Sequence, residues 1–482
     1  MDITVQNKRW SEDYFLAQRP EVLEMWPTGK DVDLEEAVEY HKSMPVEKNT
    51  ARILAKAKAE GRTCVAFRGG VATEEGQIEL LQFLQHAGTD LLPATCDSYT
   101  RNLRFADVQN GIEESKRKGR SMLNGYPGVN IGVQGNRRVV ESVDLPITCK
   151  HGSVDGRLLA EVCFAGGMTD YNGGCICHNV VYSKNVPLDV SIKNWQYSDR
   201  LIGYYADHGV ILHRENSSAL TGTLVPPSIS ISTGIIEAIL AAEQGVRGMV
   251  ISFGQGGNLI QDIAALRSLN ALGDEWLAKL GYTDMCLTSK LDQWMGAFPY
   301  DEASAYGVIV LGAATAALAG TQQIIVKSPQ EAMGVPTKEA NAGAIRATKQ
   351  AIEMMKCQRF PETFPGLEEE MYMIRKEVNA ILDKVFELGE GDLAVGLVRA
   401  FESGVIDVPF APSVMNKGLV MPIRDNVGAL RYLDFGNLPF DDEIKNYHRS
   451  KISERERKRN EKASYNMVIE DIYAISKGYI VL

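Results

Sequence analysis

The chain has 482 residues, 45% of them apolar and 23% charged, with 51 basic against 62 acidic side chains and a formal charge of −11. These proportions exclude a disordered, collagenous or fibrous chain, and the acidic balance argues against a nucleic-acid binder working through a generally basic surface. The length suits one large barrel or sandwich with an appendage, or two to three smaller units.

The first residues carry no apolar stretch behind their charges. The longest nearly apolar run, 307–320, falls short of the roughly 18 residues that suggest a membrane span. A cytoplasmic protein without membrane contact is expected. Eight cysteines are scattered through the chain, mostly inside apolar runs, so reduced thiols and no disulfides are expected.

After an N-terminal extension over 1–60, short β-rich runs alternate with amphipathic helical stretches from about 61 to 326. Strands are expected at 63–67, 91–95, 121–125, 145–150, 174–181, 210–213, 249–253, 285–288 and 324–327. Between them, 78–86 and 235–243 place apolar residues on one helical face. Nine strands are one more than a (β/α)8 barrel needs, so one run is a loop or an extra strand. A barrel is favoured over an open doubly wound sheet because the rhythm is long and no Gly-x-Gly-x-x-Gly turn follows the first strand.

The barrel is expected to span 61–356 and a smaller, mostly helical unit 357–482. That unit reads as helices at 367–388 and 392–402, an irregular stretch rich in Pro, Gly and Asn at 409–439, and a charged segment, 451–462. The last interleaves Glu with Lys and Arg at helical spacing, which suits a solvated helix.

Barrel chemistry sits at the C-terminal ends of strands. Arg68 follows the first expected strand and Arg101 lies beyond the second; Lys150 and His151 end the 145–150 strand; Lys327 ends the last, with Glu331 one helical turn on. Cations converging on one cavity would bind a dicarboxylate or a phosphate. Each one alone is equally an ordinary rim salt bridge. Cys175, Cys177 and His178 are metal-ligating types, but no Cys-x-x-Cys pair accompanies them, so no metal site is expected. The phosphate-loop, nucleophile-elbow and His-Glu-x-x-His patterns are missing from the sequence. Gly254-Gln255-Gly256-Gly257 is a tight turn that would admit a ligand to the backbone, and plain loop geometry explains it equally well.

Several longer strings carry a family resemblance: Leu123-Asn124-Gly125-Tyr126-Pro127-Gly128, Thr221-Gly222-Thr223-Leu224-Val225-Pro226-Pro227, Gln293-Trp294-Met295-Gly296, Val326-Lys327-Ser328-Pro329-Gln330-Glu331, Pro336-Thr337-Lys338-Glu339 and Arg424-Asp425-Asn426. In this order the chain resembles the glutamate mutase (methylaspartate mutase) epsilon subunit family over nearly its full length. The resemblance implies a barrel that caps one face of adenosylcobalamin while a small sigma subunit holds the other, as a heterotetramer of two large and two small chains. It implies an isomerase that interconverts L-glutamate and (2S,3S)-3-methylaspartate by a radical route. None of the seven histidines lies in the Asp-x-His-x-x-Gly motif that supplies the lower cobalt ligand, so that ligand is expected from the partner.

The resemblance further implies that Arg68, Arg101, His151 and Tyr182 contact the substrate, and that Gly70, Asn124, Phe298, Lys327 and Glu331 contact the coenzyme. These are positioning roles, and no residue is assigned as an acid, base or nucleophile. Departures accompany the match. Lys150 stands where the family has a third arginine, Asn172 where it has a glutamate that meets the substrate's amino group, and His178 where it has a tyrosine. Val181 and Val335 occupy coenzyme-contact positions that hold other apolar residues in the family. A glutamate mutase tolerating these changes, a mutase of a related diacid without the amino group, and a non-catalytic paralogue are the readings that follow.

Overall fold

The computed structural model describes residues 3–217, 223–358 and 360–481. Thr221 and Gly222 of the quoted strings lie outside the described residues, as do residues 1, 2, 359 and 482 of the outlying units.

Eight strands form one parallel sheet: β1 (Cys64–Ala66), β2 (Leu92–Thr95), β3 (Ile147–Lys150), β4 (Asp170–Asn172), β5 (His213–Glu215), β6 (Gly248–Gly254), β7 (Cys286–Asp292) and β8 (Gln323–Ile325). Their order, β1-β8-β7-β6-β5-β4-β3-β2, wraps the sheet until only the β1–β2 seam lacks a strand ladder. Backbone bonds bridge that seam, from Asp90 N to Val65 O at 2.8 Å and from Thr95 N to Gly69 O at 2.9 Å. The result is a (β/α)8 barrel, with helices such as Glu74–His86 and Pro227–Glu243 on its outside.

Two expected strands are not strands, and one real strand was not expected. Residues 121–125 cross the end of β2 as a loop, because Gly125 is pressed so close to the Thr95–Asp97 backbone that a Cβ there would meet it at 2.5 Å. Residues 174–181 fold into successive turns, with His178 N bonded to Gly174 O at 3.0 Å and Val180 N to Ile176 O at 2.9 Å. The fourth strand is instead the short polar Asp170–Asn172. The 210–213 run enters the sheet only at His213, and the strand continues to Glu215. The last strand stops at Ile325, leaving Lys327 two residues beyond its end.

The helix Thr50–Glu60 closes the N-terminal end of the barrel, where the Thr50 hydroxyl meets that of Thr169 at 3.0 Å and Lys58 Nζ donates to Leu287 O at 2.7 Å. A cavity of about 840 Å³ opens at the opposite face, and one of about 290 Å³, lined by His41, Asn49 and Thr169 among others, lies outside the seal at this one. The apolar run of 307–320 belongs to Glu302–Ala319, which is long and apolar enough to cross a membrane and is packed here between the helices Leu259–Lys279 and Lys338–Met355.

The helices Pro365–Leu388 and Leu393–Ser403 pack on the barrel's outer helices. The 409–439 stretch, expected to be irregular, contains an antiparallel hairpin of β9 (Val420–Arg424) and β10 (Leu430–Phe435). Its Arg424 is buried, donating to Gly428 O at 2.7 Å and Gly256 O at 2.8 Å. Asp262 accepts from Gly256 N at 3.0 Å and Gly257 N at 2.8 Å. The Gly254–Gly257 turn is thus held from both sides by the protein itself.

Gly70 sits at the β1–β2 seam, where a Cβ would stand 2.3 Å from Thr95 O and 2.8 Å from Tyr126 N. Gly70→Ala is therefore expected to pry at the seam and cost about 1–3 kcal/mol. Chemical unfolding of the chain alone checks this; an unchanged midpoint would show that the seam yields freely.

Candidate functional site at the barrel mouth

The inner face of the barrel's C-terminal end is polar and buried, and Glu215 at the end of β5 is its centre. Glu215 Oε1 accepts from Lys290 Nζ and from Asn172 Nδ2, both at 2.8 Å. Its Oε2 accepts from Lys150 Nζ and, at 3.0 Å, from Gln323 Nε2. A carboxylate offers about four lone-pair directions, and here all are filled. Burial alone would raise the Glu215 carboxyl, but Lys150 and Lys290 outweigh it and hold the group well below the ordinary carboxylate range. Lys290, which burial alone would lower, is raised by Asp292 and Glu215.

Two more carboxylates complete the set. Asp170 meets His213 Nδ1 at 2.6 Å and Lys150 Nζ at 3.5 Å. Asp292 lies 3.5 Å from Arg68 Nη2 and 3.4 Å from Lys290 Nζ. Lys150, Lys290 and Arg68 thus balance Asp170, Glu215 and Asp292. Isolated charges in such a place would be prohibitive, whereas an interlocked set is tolerable.

Beside this floor stands an aromatic wall. The His151 ring lies 4.4 Å from Tyr171, 4.8 Å from His178 and 5.8 Å from Trp195, centroid to centroid. Burial, then Arg101 and Arg214, push His151 well below its usual pKa; burial, then His151 and neighbouring arginines, do the same to His178. Both rings are neutral at pH 7. The 174–181 turns carry His178, and a buried Glu237 shapes them by accepting from Ile176 N at 2.7 Å and Cys177 N at 3.0 Å. Only glycine fits at 174, since a Cβ would strike the Glu237 carboxylate at 1.6 Å. Behind the wall Arg214 pairs with Asp199 at 2.7 Å and lies 4.1 Å above the Trp195 ring.

The remaining expected residues ring the mouth. Arg101 ends the short helix Ser98–Arg101, and its Nε donates to Cys96 O at 3.0 Å. Tyr182 is half-exposed, 5.9 Å from the His178 ring. Lys327 Nζ meets Glu331 at 2.8 Å, and burial lowers its pKa against the pull of Glu331. Val181 and Phe298 are buried, whereas Val335 is 77% exposed. Arg68, Gly70, Asn124 and Val335 line a cavity of about 840 Å³ that opens at the rim.

The structure therefore brings Lys150 and Asn172 together on Glu215, brings His151 and His178 into one wall, and sets Gly70, Asn124 and Val335 around a separate cavity that Arg68 joins to the floor. Sequence reasoning missed Glu215, Lys290, Asp292, Asp170 and Glu237. A signal existed for three of them: His213-Arg214-Glu215 and Lys290-Leu291-Asp292 place charges inside runs that a barrel must bury.

Fold and site together define a (β/α)8 barrel whose buried charged groups gather at one closed-floored mouth. The family model described as Methylaspartate mutase E chain (MutE) matches residues 44–482. The chain is 54% identical to the glutamate mutase epsilon subunit of Desulfitobacterium hafniense, covering 100% of this chain and 99% of that one. It is 50% identical to the chain of that name from Treponema denticola, covering 99% and 98%, and 46% identical to that of Yersinia enterocolitica, covering 99% of each. This chain belongs to the methylaspartate mutase E chain family, a family of isomerases.

Replacing Glu215 by Gln would leave Lys150 and Lys290 buried against a neutral amide, at an expected cost of about 3–5 kcal/mol. Because the folded carboxyl lies below its free value of 4.5, its contribution is complete above that pH and is lost as the pH falls below it. Unfolding curves from pH 7 to pH 3 should converge for wild type and E215Q in acid. Parallel curves would show that Glu215 is not the ionised centre.

Proposed function

We propose that this chain is the barrel subunit of an adenosylcobalamin-dependent carbon-skeleton mutase acting on a small dicarboxylate, with L-glutamate and (2S,3S)-3-methylaspartate the pair of the family reaction. The observation that carries this reading is the 54% identity, end to end, to a chain named glutamate mutase epsilon subunit. "Subunit" in that name speaks of an assembly for the relative, and we extend it here to a small cobalamin-binding sigma partner, two of each chain together.

The residues at the mouth suit such a coenzyme. Gly70, Asn124 and Val335 line the rim cavity, and we assign Val181, Phe298 and the ion-paired Lys327 and Glu331 as further contacts of the coenzyme. When bound, the coenzyme supplies a cobalt–carbon bond that opens to an adenosyl radical. Five of the seven histidines, at 41, 86, 208, 213 and 448, are bonded to internal carbonyl or carboxylate oxygens. His151 and His178 lie inside the barrel wall. This supports a lower cobalt ligand from the partner.

This chain's own part is to hold the diacid and exclude water. Arg68, which lines the rim cavity, and Arg101 are assigned to the substrate as guanidinium groups able to pair with carboxylates through two hydrogen bonds. The closed floor and the aromatic wall keep reactive carbon centres away from solvent. No side chain is required as an acid or base.

Mixing the chain with a cobalamin-binding small subunit, coenzyme and small diacids should give a cob(II)alamin signal in electron paramagnetic resonance and a rearranged product. Bound coenzyme with no signal for any diacid would contradict the proposal and favour a non-catalytic paralogue. Arg101→Lys should raise KM roughly ten- to hundredfold, as expected for a lost charged, two-pronged hydrogen bond.

A further inference from the structure

We infer that a second copy of this chain docks on the outer face of the helix Glu302–Ala319, so that the two copies pair this helix with itself about a two-fold axis. Such pairing supplies the contact between large chains in the assembly proposed above and is independent of the chemistry at the mouth. From 303 to 319 the helix has no charged side chain. Its outward stripe, roughly 100° wide, consists of Ala303, Gly307, Val310, Leu311, Ala314 and Leu318. Val310 and Leu311 are each 40% exposed. The adjoining helix Lys338–Met355 turns Arg346, Gln350 and Glu353 to solvent, as outer helices ordinarily do. A helix apolar on all sides belongs in an interior. Pro227–Glu243, another outer helix poor in charge, meets that demand: Pro365–Leu388 and Leu393–Ser403 pack on it, and residues 227–241 are all buried. No such layer covers Val310 and Leu311 among the described residues, so the cover has to come from another molecule.

The face matches itself, which is what a two-fold contact requires. Its two large exposed side chains, Val310 and Leu311, stand midway along the helix. A two-fold axis between them sets Val310 against Leu311, Gly307 against Ala314 and Ala303 against Leu318 of the second copy. Small side chains thus face larger ones at the ends, and glycine and alanine let the two backbones approach. The charges at the two ends match as well. Asp301 and Glu302 open the helix, and Glu302 has no ion-pair partner among the described residues. At the far end Arg267 donates to Leu318 O at 3.1 Å and to Glu362 O at 2.5 Å, with no carboxylate partner among the described residues. Antiparallel pairing carries the acidic end of each copy to Arg267 of the other. A small subunit capping the mouth meets the strand ends and leaves this flank uncovered.

Sedimentation velocity of the full chain alone reads this pairing without coenzyme or small subunit, so its outcome is separate from that of the cob(II)alamin measurement. The wild-type chain should run at twice its 53.1 kDa mass. Leu311→Lys should raise the dissociation constant at least a hundredfold with an unaltered circular dichroism spectrum, whereas Val190→Lys, at a position 45% exposed on another helix, should leave the dimer intact. A second variant reads the axis directly. With the exposed Cys357 replaced by Ser, Leu311→Cys should form a disulfide between copies on oxidation with diamide, and Val190→Cys should not. A monomeric wild-type chain, a dimer that Leu311→Lys leaves intact, or a dimer in which Leu311→Cys does not cross-link would each overturn the inference. A monomer that floats with phospholipid vesicles would also overturn it and would give this face to a membrane surface.

Discussion

The structure turns on one buried carboxylate. Glu215 takes hydrogen bonds from side chains on β3, β4, β7 and β8 while itself standing on β5, so five of the eight strands meet at a single group. Hydrophobic packing makes a barrel compact but does not fix which strand faces which. A saturated anion with four donors does, because each donor removed leaves a buried charge or polar group unmatched. The same saturation shapes the mouth: Glu215 itself has no acceptor left for a ligand, and its neighbours Asp170 and Asp292 are held by ion pairs with Lys150, Lys290 and Arg68.

Two further buried carboxylates extend this logic outwards. Glu237 bends the segment after β4 into turns and so carries His178, Val181 and Tyr182 to the mouth. Asp262, with Arg424 from the C-terminal hairpin opposite, fixes the glycine turn after β6. The N-terminal helices close the other end. The outlying parts of the chain thereby serve the mouth: one end seals the barrel, and the other buttresses a loop beside its opening.

Much of this was legible in the sequence. The βα rhythm and the long strings that mark the family led to the right fold, and Arg68, Arg101, Lys150 and His151 do stand at or just beyond strand ends. What misled was local apolar content. Gly174-Cys175-Ile176-Cys177 and Val180-Val181 look like a buried strand, yet Glu237, some sixty residues on, gathers the backbone into turns. The true strand, Asp170-Tyr171-Asn172, is too short and polar to read as one, because Asp170 and Asn172 face a charged interior while only Tyr171 packs in the core. Lys150 illustrates the limit for the site. Its position at a strand end was visible, but only the fold shows that it faces Glu215 and Asp170, contributed by strands that follow it in the chain.

The claim that the floor's charges act as one mutually committed unit is most directly tested by a double-mutant cycle between Glu215 and Lys290, using Gln and Met respectively, with stability read from urea unfolding. The account predicts that the double variant loses about 1–3 kcal/mol less than the sum of the two single losses, since each partner is harmful chiefly when left alone. Losses that add to within about 0.3–0.5 kcal/mol would mean that the two groups are independent, and the node would not be what holds the barrel mouth together.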